Sequence, residues 1–338
     1  MKRRALPFPS PANRAFTLIE VLVACTISII ILGLLLSILN QTVNIWSRNN
    51  ARLEAFQSAR RGFENITQFL GQATLNTYWD YRNSDGLFRD QAVSGKFVPA
   101  DYGRKSELHF VTAPSGSAGL PGTTGCGQAV FFLAPATKND AANTVDYERF
   151  VGLLNACGFY VEYNSDAPWL PPHVDPALAK ERFRLMQFVE DTEALTIGTQ
   201  AGSGWIKPTG SNTFPLADNV IALVIWPKEN ATPSALNSYS YDSRAGVADT
   251  PQGISANQLP PILQVAIVAV QENSVARLGD EQKEVIEGCL KGLFLDNPEA
   301  NFSTDLAKLE KNLQNNAIEY RVFVSSVPMR EAKWGVKP

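Results

Sequence analysis

The chain has 338 residues, 45% hydrophobic and 10% aromatic, which is ample for a packed core. Thirty basic against 33 acidic residues give a net charge of −3, which excludes a general electrostatic attraction to nucleic acid. Four cysteines are too few for a disulfide scaffold.

The first fifteen residues contain Lys2, Arg3, Arg4 and Arg14 and no acidic side chain; without them the net charge is −7. From Val21 to Leu39 there is no charge at all. Nineteen residues at about 1.5 Å each span roughly 28 Å, the hydrocarbon thickness of a bilayer. A basic N-terminal flank predicts a cytoplasmic N-terminus and an exported remainder. Glu20 stands just inside the apolar run. A charge at mid-bilayer costs on the order of 3 kcal/mol, and less towards the interface, so such a carboxylate needs a partner. Cleavage between Ala15 and Phe16 would create an α-amino group four residues before Glu20, one helical turn away. That ammonium can neutralise Glu20 in the same chain or in a neighbouring helix one turn out of register.

Three other readings of this stretch compete. A secretory signal peptide has an apolar core of about 7–15 residues, whereas this run is longer and carries an early Glu. A plain single-pass anchor explains the length but not the order Phe16-Thr17-Leu18-Ile19-Glu20. Leu22-Val23-Ala24-Cys25 resembles a lipoprotein box, but the apolar run continues to Leu39 where a polar linker would begin. Cys25 therefore reads as a small apolar helix residue.

The short basic leader, the small residue and Phe16-Thr17-Leu18-Ile19-Glu20 before an apolar helix resemble the type IV pilin and type II secretion pseudopilin superfamily. Ala15 departs from the usual Gly, so slower cleavage is expected rather than none. The resemblance implies that a prepilin peptidase cuts after Ala15 and methylates Phe16. It also implies a helix held in inner-membrane lipid with its C-terminal domain periplasmic or extracellular. Its partners would be other pilin or pseudopilin subunits and an assembly platform protein, with Glu20 facing a neighbour's Phe16 amine in the filament.

Beyond the run, Trp46, Leu53, Phe56, Phe63, Ile66, Leu70 and Ala73 recur at steps of three, four or seven, an amphipathic helical pattern. No proline occurs from Phe16 to Asn76, which allows one helix of about 60 residues, with a bend conceivable at Gly62 or Gly71. Strand-like runs follow at 108–112, 128–133, 159–163, 184–189, 220–226, 263–270 and 320–324, separated by Gly, Pro, Asn or Asp. No helix alternates with them, so an antiparallel sheet and an α+β fold are predicted. The resemblance implies the pilin form of that fold, a long N-terminal helix packed on the sheet. The expected divisions are 1–15 leader, 16–39 transmembrane and assembly helix, 40–76 amphipathic continuation and 77–338 globular domain. Late helices are predicted from Gly279 to Leu295 and from an N-cap at Ser303.

Cys126 and Cys157 flank predicted strands and are the favoured disulfide pair on the oxidising side of a membrane; three free buried thiols are the alternative. His109 and His173 are far apart and no His or Cys pair has metal-ligand spacing. Gly122-Thr123-Thr124-Gly125-Cys126-Gly127 lacks the Gly-Lys-Ser/Thr of a phosphate loop. Asp166, Asp175, Asp242 and Asp249 lie in loops without a dense calcium-ligand pattern. No catalytic residue, metal or cofactor is expected, and no enzymatic activity.

Residues 152–158, 182–188 and 216–227 resemble the pilin-like Verru_Chthon cassette protein C family, and the last of them also resembles J-type minor pseudopilins. A domain larger than a typical major pilin's points to a minor, tip or initiating subunit. The competing expectation is a membrane-anchored binding protein that forms no filament, motivated by long loops and six tryptophans.

Overall fold

The computed structural model describes residues 17–91, 96–117, 119–136, 153–197, 203–229, 236–249 and 251–334, with backbone alone for 47–55. The chain divides into two compact units, 1–53 and 54–338. Helix α1 runs over Leu18–Leu70, 53 residues, and contributes to both. The division falls inside the predicted amphipathic stretch, so residues 54–70 of the helix belong with the globular unit.

The fold is α+β. The globular unit contains β1 (Tyr78–Arg82), β2 (Asp101–Lys105), β3 (Val111–Pro114), β4 (Gln128–Pro135), β5 (Leu154–Ser165) and β6 (Glu181–Val189). It continues with β7 (Thr213–Asp218), β8 (Val220–Lys228), β9 (Tyr241–Asp242), β10 (Ile262–Val270) and β11 (Tyr320–Pro328). Helices α2 (Glu272–Ala276), α3 (Gln282–Leu290) and α4 (Pro298–Asn315) lie between the last two strands. Every pairing of these strands is antiparallel. Six strands form one sheet in the order β7-β6-β5-β4-β3-β9, three form a second in the order β11-β10-β8, and β1-β2 is a separate ribbon.

The six-stranded sheet is buried on both faces, and the alternation of strand side chains shows how. Along β4, Val130, Phe132 and Ala134 enter the larger core, while Ala129, Phe131 and Leu133 enter a second one. β5 and β6 divide likewise, with Phe159 and Leu185 on the first face and Tyr160 and Met186 on the second. The larger core also takes in Phe56, Phe63, Ile66 and Leu70 of α1 and the apolar residues of β8 and β10. The smaller one is closed by loop residues Leu120, Ile197, Trp205 and Ile206.

Gly62 is a point of close approach. A Cβ there would lie 3.1 Å from Leu185 and 3.3 Å from Ala217, so the missing side chain lets α1 settle on β6 and β7. The helix stops at Leu70, short of the predicted Asn76. Gly71 and Gln72 turn back onto Thr67 and Phe69, and Thr74 N then donates to Leu133 O at 2.9 Å.

Four strands were not predicted. β7 contains Pro215, which cannot donate to a ladder, and it lies at the sheet edge where that loss is tolerated. β9 has two residues. β1 and β2 are rich in charged residues and only partly buried, without an apolar run. The strand predicted at 108–112 begins at Val111 instead, because Leu108 N and Phe110 N donate to the hydroxyls of Ser106 and Ser243. The predicted Gly279–Leu295 helix is a short turn followed by α3, which ends at Leu290. The last helix is capped six residues before the predicted cap at Ser303. Its N-cap is Asn297, in the left-handed region (φ 45°, ψ 60°), whose side chain accepts from Ala300 N, with Pro298 as the first helical residue.

Gly127 joins the two sheets through a bridge to Leu223, with φ 86°. A Cβ there would meet the Leu223 carbonyl. Gly125 has φ 88° but open space around it. Gly127→Ala is therefore expected to destabilise the protein by about 3 kcal/mol and Gly125→Ala by about 1 kcal/mol, because only the first adds a backbone clash to the strained φ. Thermal unfolding of both variants checks this; equal shifts would contradict it.

Candidate functional site

The site residues divide between the N-terminal helix and the globular unit. From Leu18 to Trp46, 29 residues of α1 are long and apolar enough to cross a membrane, and none is buried. Glu20 is the single charged residue among them. Apolar side chains point outward all round the helix, from Leu18 to Leu39, so no one face is reserved for a protein core. Three hydroxyls in this stretch are satisfied within the helix. Thr26, Ser28 and Thr42 each donate a hydroxyl to a carbonyl one turn back, Val23, Ala24 and Ile38, at 2.8 Å. That closure is what a helix in hydrocarbon requires.

Glu20 is also engaged locally. Its Oε2 accepts from Thr17 N at 2.9 Å and from Thr17 Oγ1 at 3.0 Å, while Glu20 N lies 3.4 Å from Thr17 Oγ1 as donor. Thr17 precedes the first helical residue and Glu20 is the third, so the pair forms a reciprocal capping box. Thr17 was missed as a site residue, although Thr17-Leu18-Ile19-Glu20 has the capping-box spacing. Ala15 and Phe16 lie outside the described residues.

The model of the prokaryotic N-terminal methylation motif matches residues 10–38. The chain carries a prepilin-type signal. That signal implies processing by a peptidase and assembly with other pilin subunits, and with the apolar helix behind it marks a membrane anchor. No curated protein and no solved structure matches the chain. The narrower resemblance to the cassette protein C family is not confirmed by these comparisons.

In the globular unit, most of the residues singled out for chemistry are occupied by structural contacts. His109 is fully buried. Its Nδ1 accepts from Trp205 Nε1 at 2.9 Å, and its Nε2 lies 2.7 Å from Asp242 Oδ1. An indole N–H only donates, so Nδ1 is unprotonated and Nε2 carries the proton toward the carboxylate. Burial raises the Asp242 carboxyl, but hydrogen bonds from His109 and from the Arg244 amide hold it below the usual carboxylate range. This arrangement ties β9 to the loop that closes the smaller core. His173 is exposed in its loop. Asp166 accepts from Lys180 N and lies 3.3 Å from Arg184, and Asp175 accepts from Ala177 N. Among the described residues no three His, Cys, Asp or Glu side chains converge as a metal cluster.

The disulfide expected between Cys126 and Cys157 is not made; both are free, buried thiols. The register explains why. Cys126 closes a turn with Thr123, whose N donates to Val161 O. Val161 lies four residues along β5 from Cys157, roughly 13 Å at strand rise, whereas a disulfide needs Cα atoms within about 7 Å. Burial pushes each thiol up to about 12, so the thiolate fraction at pH 8 is on the order of one in ten thousand. We expect neither residue of the native protein to react with a charged maleimide at pH 8, and both to react after unfolding without reductant. Labelling that requires prior reduction would restore the disulfide.

Proposed function

We propose that the protein is a structural subunit, a minor pilin or pseudopilin, and not an enzyme. It is made as a precursor, cut after Ala15 and methylated at Phe16. It is held in the inner membrane by α1 with the globular unit outside, and assembled into a type IV pilus or type II secretion-like pseudopilus. The observation that carries this reading is a prepilin-type signal coinciding with a 29-residue apolar helix that has Glu20 as its single charge.

Glu20 supplies the mechanism. In a bundle of such helices the surroundings are apolar, and attraction between Glu20 and a neighbour's Phe16 amine is screened far less than in water. Two apolar cylinders slide freely past each other; one ion pair fixes their axial register. The capping box has the complementary role in the unassembled chain. Two donors from Thr17 occupy the carboxylate while no neighbour is present, and exchange of these for an ammonium accompanies packing into the filament.

A second reading, an anchored binding protein without a filament, draws support from the exposed aromatics of the β1-β2 ribbon, where Trp79 is 66% and Tyr102 57% exposed.

Removing Glu20 separates the two. Glu20→Ala leaves a buried ammonium unpaired in each helix contact, a cost on the order of 3 kcal/mol. Incorporation into filaments should fall by more than about tenfold while membrane insertion is kept, as read by filament shearing and membrane fractionation. Thr17→Ala, which removes only the hydroxyl of the cap, should reduce incorporation less. Equal incorporation of Glu20→Ala and the unaltered protein would contradict the proposal.

A further inference from the structure

His109 is a titratable side chain with no exposed surface, and both of its ring nitrogens are in use. Nδ1 accepts from the Trp205 indole, and Nε2 donates to Asp242. Only the neutral ring can do both, because the imidazolium carries a hydrogen on each nitrogen and keeps no lone pair. A proton on Nδ1 would face the indole hydrogen across the same 2.9 Å, turning an attraction into a clash. On the other side of the ring the same proton is favourable, since the bond to the Asp242 carboxylate becomes charge-assisted.

The indole holds more than itself. Trp205 is buried, packs edge-on to Phe131 at 6.5 Å, and with Ile206 helps to close the smaller core. Ile206 N donates to Ser203 O at 2.9 Å, a short turn fixed by that burial. A second tie holds the start of the same loop, where the Arg244 guanidinium donates to Ile197 O at 2.9 Å. A guanidinium stays charged throughout the accessible pH range, so this tie does not respond to acid.

The charged groups facing the ring are Asp242 on β9 and Arg244 just beyond it. Glu107, two residues before His109, is drawn instead to Asn76 and Tyr78. From the loop and from β4 the ring meets the neutral Trp205 and Phe131. The Asp242 carboxyl lies below the usual carboxylate range, so it stays ionised between about pH 8 and 5, the interval in which an imidazole changes charge. The ring is therefore the member of this cluster that responds there.

We propose that His109 and Trp205 form an acid-released latch: a proton taken up at Nδ1 frees the indole and uncovers Phe131 and the smaller core around it, while Arg244 keeps the loop attached at Ile197. The sign follows from linkage. The released arrangement can hold a proton that the latched one refuses, so falling pH favours release, by up to about tenfold per pH unit. The latch is closed above the imidazole interval and is lost as the pH falls through it. It concerns the globular unit alone and rests neither on cleavage at Ala15 nor on entry into a filament.

Hydrogen exchange of the full-length chain in detergent, read by mass spectrometry at pH 7.5 and 5.5 and corrected for intrinsic exchange, tests this. Protection of residues 203–212 should fall about tenfold or more at the lower pH, while the 262–270 fragment of β10 keeps its own. His109→Gln supplies an amide that accepts from Trp205 and donates to Asp242 without titrating, and its change should be under about twofold. Trp205→Phe keeps an apolar ring but has no N–H to donate; its 203–212 fragment should be poorly protected at both pH values, which carries the same test should His109→Gln fail to fold. A flat response in the unaltered chain, an undiminished response in either variant, or loss of protection at 262–270 in step with 203–212 would overturn the proposal.

Discussion

A single carboxylate in an apolar helix constrains the N-terminal unit. Between Leu18 and Trp46 nothing but Glu20 carries charge, and in hydrocarbon an unpartnered carboxylate is unfavourable enough to require an answer. The helix answers it locally by turning the residue into the third position of a capping box, where Thr17 donates twice. Those donors are neutral. A full positive charge brought to the same position would be preferred, and the cut implied by the signal would generate one. In the proposed function, a group stabilised adequately in one state and better in another is what a step from membrane to filament requires.

The globular unit answers a different constraint. A sheet buried on both faces needs two covers, and the chain provides different ones. On one face lie residues 54–70 of α1 and the smaller sheet; on the other, loops pinned by Trp205, His109 and Asp242. This explains why the buried histidine is no ligand, since both ring nitrogens are committed to holding a loop against the strands. It also explains why the long loops are not all free surface.

How much of this was legible in the sequence differs by element. β8 and β10 were plain because they are buried on both sides and read as unbroken apolar runs. β7 was hidden by Pro215, and the start of α4 by a left-handed Asn297 that competes poorly with Ser303 as a cap signal, although Asn-Pro is a sound helix start. The Cys126–Cys157 expectation failed because both residues flank strands, and flanking says nothing about register; four residues of offset along β5 decide against the bond. In the N-terminal segment the Phe-Thr-Leu-Ile-Glu order was legible and the methylation motif matches it. Thr17 was legible as a residue of that motif but not as the partner of Glu20, because the same carboxylate equally fits the amine that cleavage would create upstream.

The account stands on the amino group that cleavage would create beside Glu20. Intact-mass analysis of the protein isolated from its native membrane tests it most directly. The account predicts a chain that begins at Phe16 and carries one N-terminal methyl group. A chain that still begins at Met1, or one that begins at Cys25 with lipid attached, would contradict it.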